Sequence, residues 1–175
     1  MTLPNKTDST DMLPVAETDL FLSAQKRAIA AIDWRPGLSK KDAQWWKWDS
    51  ALEIDGTVPE GARVILQWRA AIGAAPEKMN LTLLYREQRI YGIDLDDAGR
   101  HTNKAGKGRP LYRQMINSPA HEHTWSEDGY GYVEPLDPVP DSLAELFGYF
   151  CNKANLTVVG GFKPPPSQQL SLGLI

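Results

Sequence analysis

A chain of 175 residues with 42% hydrophobic content can build one domain with its own core, and its single cysteine excludes an intrachain disulfide and a cysteine-based structural zinc site. With 19 Lys+Arg against 22 Asp+Glu the net charge is −3, which excludes a general nucleic-acid coat but leaves room for a local basic patch. No apolar run approaches the roughly 20 residues that span a bilayer, and the first residues lack a charged-then-apolar signal pattern, so the expectation is a cytoplasmic protein with no membrane partner.

Residues 1–14 are polar and aperiodic, and read as a disordered tail. From Val15 to Ile32 the spacing is helical: Phe21, Ala24, Ala28 and Ile32 share a face, while Gln25, Lys26 and Arg27 point away. The run from Asp33 to Gly37 ends that helix, and Ser39 with Asp42 caps a further short turn. Alternation then takes over. Trp46, Trp48, Leu52 and Ile54 form one row, Val64, Leu66 and Trp68 a second, Met79, Leu81, Leu83 and Tyr85 a third, and Arg89 to Leu95 a fourth strand. Turn chemistry at Asp55-Gly56 and Pro59-Glu60-Gly61 separates the first two, so the four read as an antiparallel meander with one wet face.

The Gly- and Lys-rich stretch from Asp96 to about Asn117 reads as a long surface loop. Strands resume at His121–Trp125 and Tyr130–Glu134. A helix follows, capped by Ser142 with Glu145, and Leu143, Leu146, Phe147 and Phe150 make its apolar stripe. Leu156 to Val159 returns to the sheet. The fold class is therefore α+β: a single antiparallel sheet with an N-terminal and a C-terminal helix packed on it. The domain spans 15–162, and residues 163–175 form a Pro-rich linker and a flexible partner-binding peptide.

The body does not spell out a reaction. Its candidate chemistry gathers around the loop. No acidic residue occurs from Gly99 to His121, while Arg100, Lys104, Lys107, Arg109 and Arg113 supply positive charge suited to nucleic-acid phosphates. Asn103 to Gly108 is not a phosphate-binding P-loop, because the glycine and Ser/Thr positions of that motif are missing. All three histidines, His101, His121 and His123, flank the same stretch. On a strand, His121 and His123 face the same way. With His101 or Asp94 they offer donors to a transition metal. Alternatively, one histidine takes a ribose hydroxyl proton, another protonates the leaving oxygen, and Arg109 or Arg113 holds the phosphate, as in a metal-free ribonuclease that needs no cofactor. A third reading is purely structural, with the rings tying the loop to the sheet. Trp45, Trp46 and Trp48 suit base stacking in principle, but Trp46 and Trp48 fall on the apolar row and read as core.

Beyond Phe162 the composition changes. Lys163-Pro164-Pro165-Pro166-Ser167 is a stiff spacer, and Gln168 to Ile175 follows it. The positions Gln169, Leu170, Ser171, Leu172 and Leu174 resemble the bacterial sliding-clamp-binding motif, with Gly173 where many examples carry proline. That resemblance implies a partner, the bacterial DNA polymerase sliding clamp. In such a peptide Leu172 and Leu174 enter an apolar pocket, each worth roughly 1.5–3 kcal/mol when fully buried, and the Gln169 amide sets register at the rim. The same alternation of leucines also suits an edge strand of the protein's own sheet.

The block running from Tyr91-Gly92-Ile93-Asp94 through His101, His121-Glu122-His123 and Tyr132 to Glu134, into the helix ending at Cys151-Asn152, resembles small bacterial toxins of the TumE kind. Together the two resemblances are compatible with the role of SocB-type toxins. Such a protein blocks DNA replication by occupying the clamp pocket and has an antitoxin or protease adaptor as second partner. The alternatives are an endoribonuclease toxin using the histidines and basic loop, and a clamp-recruited phage or repair accessory factor.

Overall fold

The structure, a computed structural model, describes residues 12–38, 44–97 and 99–166. In chain order its elements are α1 (Val15–Ser23), β1 (Lys26–Ala28), β2 (Arg35–Pro36), β3 (Trp46–Glu53), β4 (Arg63–Arg69), β5 (Lys78–Tyr85), β6 (Gln88–Asp96), β7 (Arg100–Thr102), β8 (Met115–Asn117), β9 (Ala120–Ser126), β10 (Gly129–Pro135), α2 (Leu143–Lys153) and β11 (Leu156–Val158). This is the expected α+β class with a mainly antiparallel sheet and two helices.

The main sheet runs β10-β9-β6-β5-β4-β3-β1-β11, with β2 also paired to β3. The central β3–β6 meander follows the alternation in the sequence. Trp48, Leu66, Leu81 and Ile93 stand opposite one another across four strands, all buried. On the other face Lys47, Gln67, Asn80, Asp94 and His121 form a matching polar row across five strands. Pleating forces this segregation, because successive side chains alternate faces and one face must be sealed. Helix α2 contributes to that seal. Ser142 Oγ accepts from the Glu145 amide, Leu146, Phe147 and Phe150 are buried, and Phe150 stacks on Tyr91 at 5.6 Å.

Three expectations need correction. The first helix stops at Ser23 rather than Ile32, and Lys26, expected to point away, is fully buried. Its Nζ donates to the carbonyls of Phe21 at 2.6 Å, Leu22 at 2.9 Å and Ala24 at 2.5 Å, closing the helix end from within. A cation at a helix C-terminus also meets the negative end of the helix dipole. Burial lowers the Lys26 ammonium to about 8, so it remains charged at neutral pH. Lys26→Leu would leave those carbonyls without their donor, and an urea-unfolding stability loss of about 2–4 kcal/mol is expected. After this cap the chain enters β1, which pairs in parallel with β11 at the edge of the sheet, so the sheet is not wholly antiparallel.

The second correction concerns the Asp96–Asn117 stretch. It is not a plain surface loop, since β7 and β8 pair antiparallel within it. Asn103 is fully buried and acts in place of a neighbouring strand for β10. Its Oδ1 accepts from Val133 N at 2.7 Å, and its Nδ2 donates to Val133 O at 2.9 Å and Leu111 O at 3.0 Å. A side-chain amide thus satisfies both backbone groups of an otherwise open sheet edge. Gly106, at φ +81°, passes so close to Tyr132 that a Cβ would lie 2.3 Å from Cδ2.

The third correction lies at the N-terminal boundary. Leu13, within the segment expected to be a loose tail, is buried, and its carbonyl accepts from Trp125 Nε1 at 3.0 Å. The expected short turn at Ser39 and Asp42 lies outside the described residues. So do the clamp-motif residues Gln169, Leu170, Ser171, Leu172 and Leu174. Among the described residues, no helix is long and apolar enough to cross a membrane.

Candidate metal centre

Strands β6 and β9 are neighbours, and their register sets the site. Asp94 stands opposite His121, and Gly92 opposite His123, so the three side chains share the polar face. The gap at Gly92 matters. A Cβ there would meet Leu81 O at 2.8 Å, Tyr130 Oη at 3.0 Å and Arg89 Nη2 at 3.1 Å. Its absence lets Tyr130 and Arg89 close over the cluster. Tyr130 is aimed there by a register shift between Tyr130 and Tyr132 in β10, and its ring stacks on His123 at 5.4 Å.

The ligand atoms of Asp94, His121 and His123 all lie within 4.8 Å of one another. Asp94 Oδ2 is 3.0 Å from His123 Nε2 and 4.0 Å from His121 Nε2. The other carboxylate oxygen is held from behind: Arg89 Nη2 donates to Oδ1 at 3.3 Å, and the Asn80 amide, turned with its nitrogen towards Asp94, donates at 3.2 Å. One oxygen is therefore anchored and the other presented to the imidazoles. Supporting hydrogen bonds of this kind orient the carboxylate ligands of metal sites.

Both His121 and His123 are buried, with side chains 7% exposed. Asp94 Oδ2 is the polar neighbour of His123 Nε2, while the buried Nδ1 of His123 has no hydrogen-bond partner among the described residues. An unpaired buried nitrogen is costly, and an ordered water or an ion is what commonly satisfies one. Burial works to raise the Asp94 carboxyl, but His123, Arg89 and His121 outweigh it and hold it below the usual carboxylate range. Burial and the neighbouring His123 lower His121, favouring the neutral imidazole that metals require.

His101 completes the group from β7. Its ring centroid is 5.2 Å from that of His123 and 6.3 Å from that of His121. Its Nε2 lies 3.2 Å from Gly131 O, and a carbonyl can only accept, so Nε2 carries the proton and Nδ1 keeps the free lone pair. Unlike the other two, His101 is only half-buried, and it forms part of the wall of a cavity of about 550 Å³ together with Arg100, Thr102, Lys104, Asp128 and Tyr130.

All three histidines read from the sequence are thus brought together, with Asp94. Of the five basic residues, all exposed, only Arg100 and Lys104 border the cavity. Arg109 is engaged elsewhere, donating to Thr124 Oγ1 at 2.8 Å and lying over the Tyr132 ring at 4.5 Å. Arg113 lies over Tyr112, and Lys107 contributes a backbone amide to Asp128. Sequence reasoning did not single out Arg89, Asn80, Gly92 or Tyr130. An available signal was the wet-face row, which puts Asn80 beside Asp94 once β5 and β6 are paired.

No protein-family model matches the sequence, and neither a curated protein nor a solved structure matches it.

Proposed function

We propose that Asp94, His121 and His123 hold a divalent transition-metal ion, and that the protein acts through it on a ligand entering past His101. The observation that carries this is the convergence of three ligand atoms within 4.8 Å of one another, on a carboxylate anchored from behind by Arg89. Two imidazoles and one carboxylate form a donor set that leaves coordination positions open for water or substrate. Such an ion lowers the pKa of bound water and polarises a bound oxygen, so the reaction class supported is metal-assisted hydrolysis. The metal-free ribonuclease reading has less support, because it needs the buried imidazoles of His121 and His123 to touch the ribose themselves, whereas a held ion would need only its open positions to face the cavity beside His101. Titration of the purified, chelator-stripped protein with zinc, manganese and iron(II) tests the reading. One tightly held ion per chain is expected, and no uptake of any of them would overturn it.

A second reading rests on the C-terminal peptide. What supports it is the spelling Gln169-Leu170-Ser171-Leu172 with Leu174, set beyond a proline run. The base of that run is tied to the body: Trp34 Nε1 donates to Lys163 O at 2.9 Å. On this reading the peptide docks in the sliding-clamp pocket and excludes polymerase and repair factors, and the protein is a replication-blocking toxin. The two readings are compatible, since one concerns the tail and the other the body, and both suppose a cytoplasmic protein. Immobilised clamp should retain the full chain and lose it when residues 168–175 are removed. Equal retention of both would dispose of this reading.

A further inference from the structure

The cavity beside the metal centre has a charge pattern of its own. Arg100 and Lys104 are both exposed, both border it, and among the described residues neither forms an ion pair. They sit on either side of His101 in the chain, so the segment that delivers His101 to the cluster also delivers two cations to the cavity mouth. The acidic residue in the wall, Asp128, has an oxygen occupied by the Lys107 amide at 2.7 Å. Tyr130 contributes to the same wall, with its Oη buried on the β6 side by Gly92. Two cations bordering one cavity suit an oxyanion bearing more than one negative charge.

We propose that this cavity binds the phosphoryl group of a phosphate ester, with Arg100 and Lys104 as its counter-charges. The inference rests on the metal reading for what happens to the ester, but not for its binding. Carboxylate ligands suit the site less well. A single planar charge would engage one of the two cations, whereas a phosphoryl group has three oxygens to share between guanidinium and ammonium. The ester can come from a free nucleotide or from a nucleic-acid strand, which have this group in common. Lys107, Arg109 and Arg113 follow in the same segment but do not border this cavity, so only a ligand that extends beyond it, such as a strand, would meet them.

The test uses the full-length protein and three titrations: zinc, thymidine monophosphate and a short oligothymidylate. Arg100→Ala with Lys104→Ala replaces two exposed side chains, so the fold should survive. Zinc uptake of this double variant should equal that of the wild type, while binding of both phosphate probes weakens about tenfold or more. For the oligonucleotide, the slope of log affinity against log salt should fall by about 0.7 for each cation removed. Unchanged binding of both probes by the double variant would overturn the inference. A strand as the source predicts that Lys107→Ala with Arg113→Ala weakens the oligonucleotide alone, and a free nucleotide predicts no effect on either probe. If the wild type takes up no metal yet the double variant still loses phosphate binding, the metal reading fails and the phosphoryl site stands.

Discussion

His123→Gln is expected to weaken divalent-metal binding by about 100-fold or more, since even changes to groups that merely support ligands commonly cost 10–100-fold. Glutamine roughly keeps the volume under the Tyr130 ring but removes the imidazole lone pair, so packing survives while one of three donors is lost. Asn80→Ala is a graded companion. It leaves every donor in place and removes one of the two groups behind Asp94 Oδ1, so a loss of about tenfold is expected. Competition titrations against a chelator of known affinity measure both, and near-ultraviolet circular dichroism checks that the aromatic packing persists. Equal affinity in wild type and His123→Gln would mean that the cluster is not the site of uptake. The convergence of Asp94, His121 and His123 would then need another explanation.

The second large effect is structural. Asn103→Ala removes three hydrogen bonds and strips both backbone groups of Val133 of their partners, inside the protein where water cannot easily replace them. Each unsatisfied buried group costs about 1–3 kcal/mol, so a total loss of about 2–4 kcal/mol is expected after local relaxation. For a chain of this length that corresponds to a drop in Tm of about 5–15 °C. Amide exchange at Val133 should accelerate along with it. The consequence reaches the site, because the segment that Asn103 fastens also carries His101, whose Nε2 is held on Gly131 O in the same strand. A variant with unchanged Tm and unchanged exchange would show that the hairpin is held by other contacts.

Much of the fold was legible because strands and helices announce themselves by period. The rows Trp46–Trp48–Leu52, Val64–Leu66–Trp68 and Met79–Leu81–Leu83 alternate cleanly and became the central meander. Ser142 and Glu145 marked the start of α2 within one residue. The first helix was over-read for a definite reason. Its apolar spacing continues past Ser23, but Lys26 turns inward to close the helix, and a lysine's preference for such a place over solvent depends on carbonyls that exist only once the helix has ended. The Asp96–Asn117 stretch was misread because glycine and lysine composition signals a loop, whereas its order comes from Asn103 reaching a strand 30 residues away.

The site divides in the same way. Sequence alone determined that His121 and His123 share a face, since two residues apart on a strand can do nothing else. It also determined that the basic residues cluster around His101 and that a leucine-rich peptide ends the chain. Only the tertiary structure decided that β6 lies beside β9 with Asp94 opposite His121, that His101 closes the group from a separate hairpin, and that Arg89 and Asn80 fix one carboxylate oxygen while the other faces the imidazoles. The physical reason is range. Periodicity is set by bonds between neighbouring residues and can be read along the chain, whereas strand pairing between distant segments is set by which faces can be buried together, a property of the whole fold.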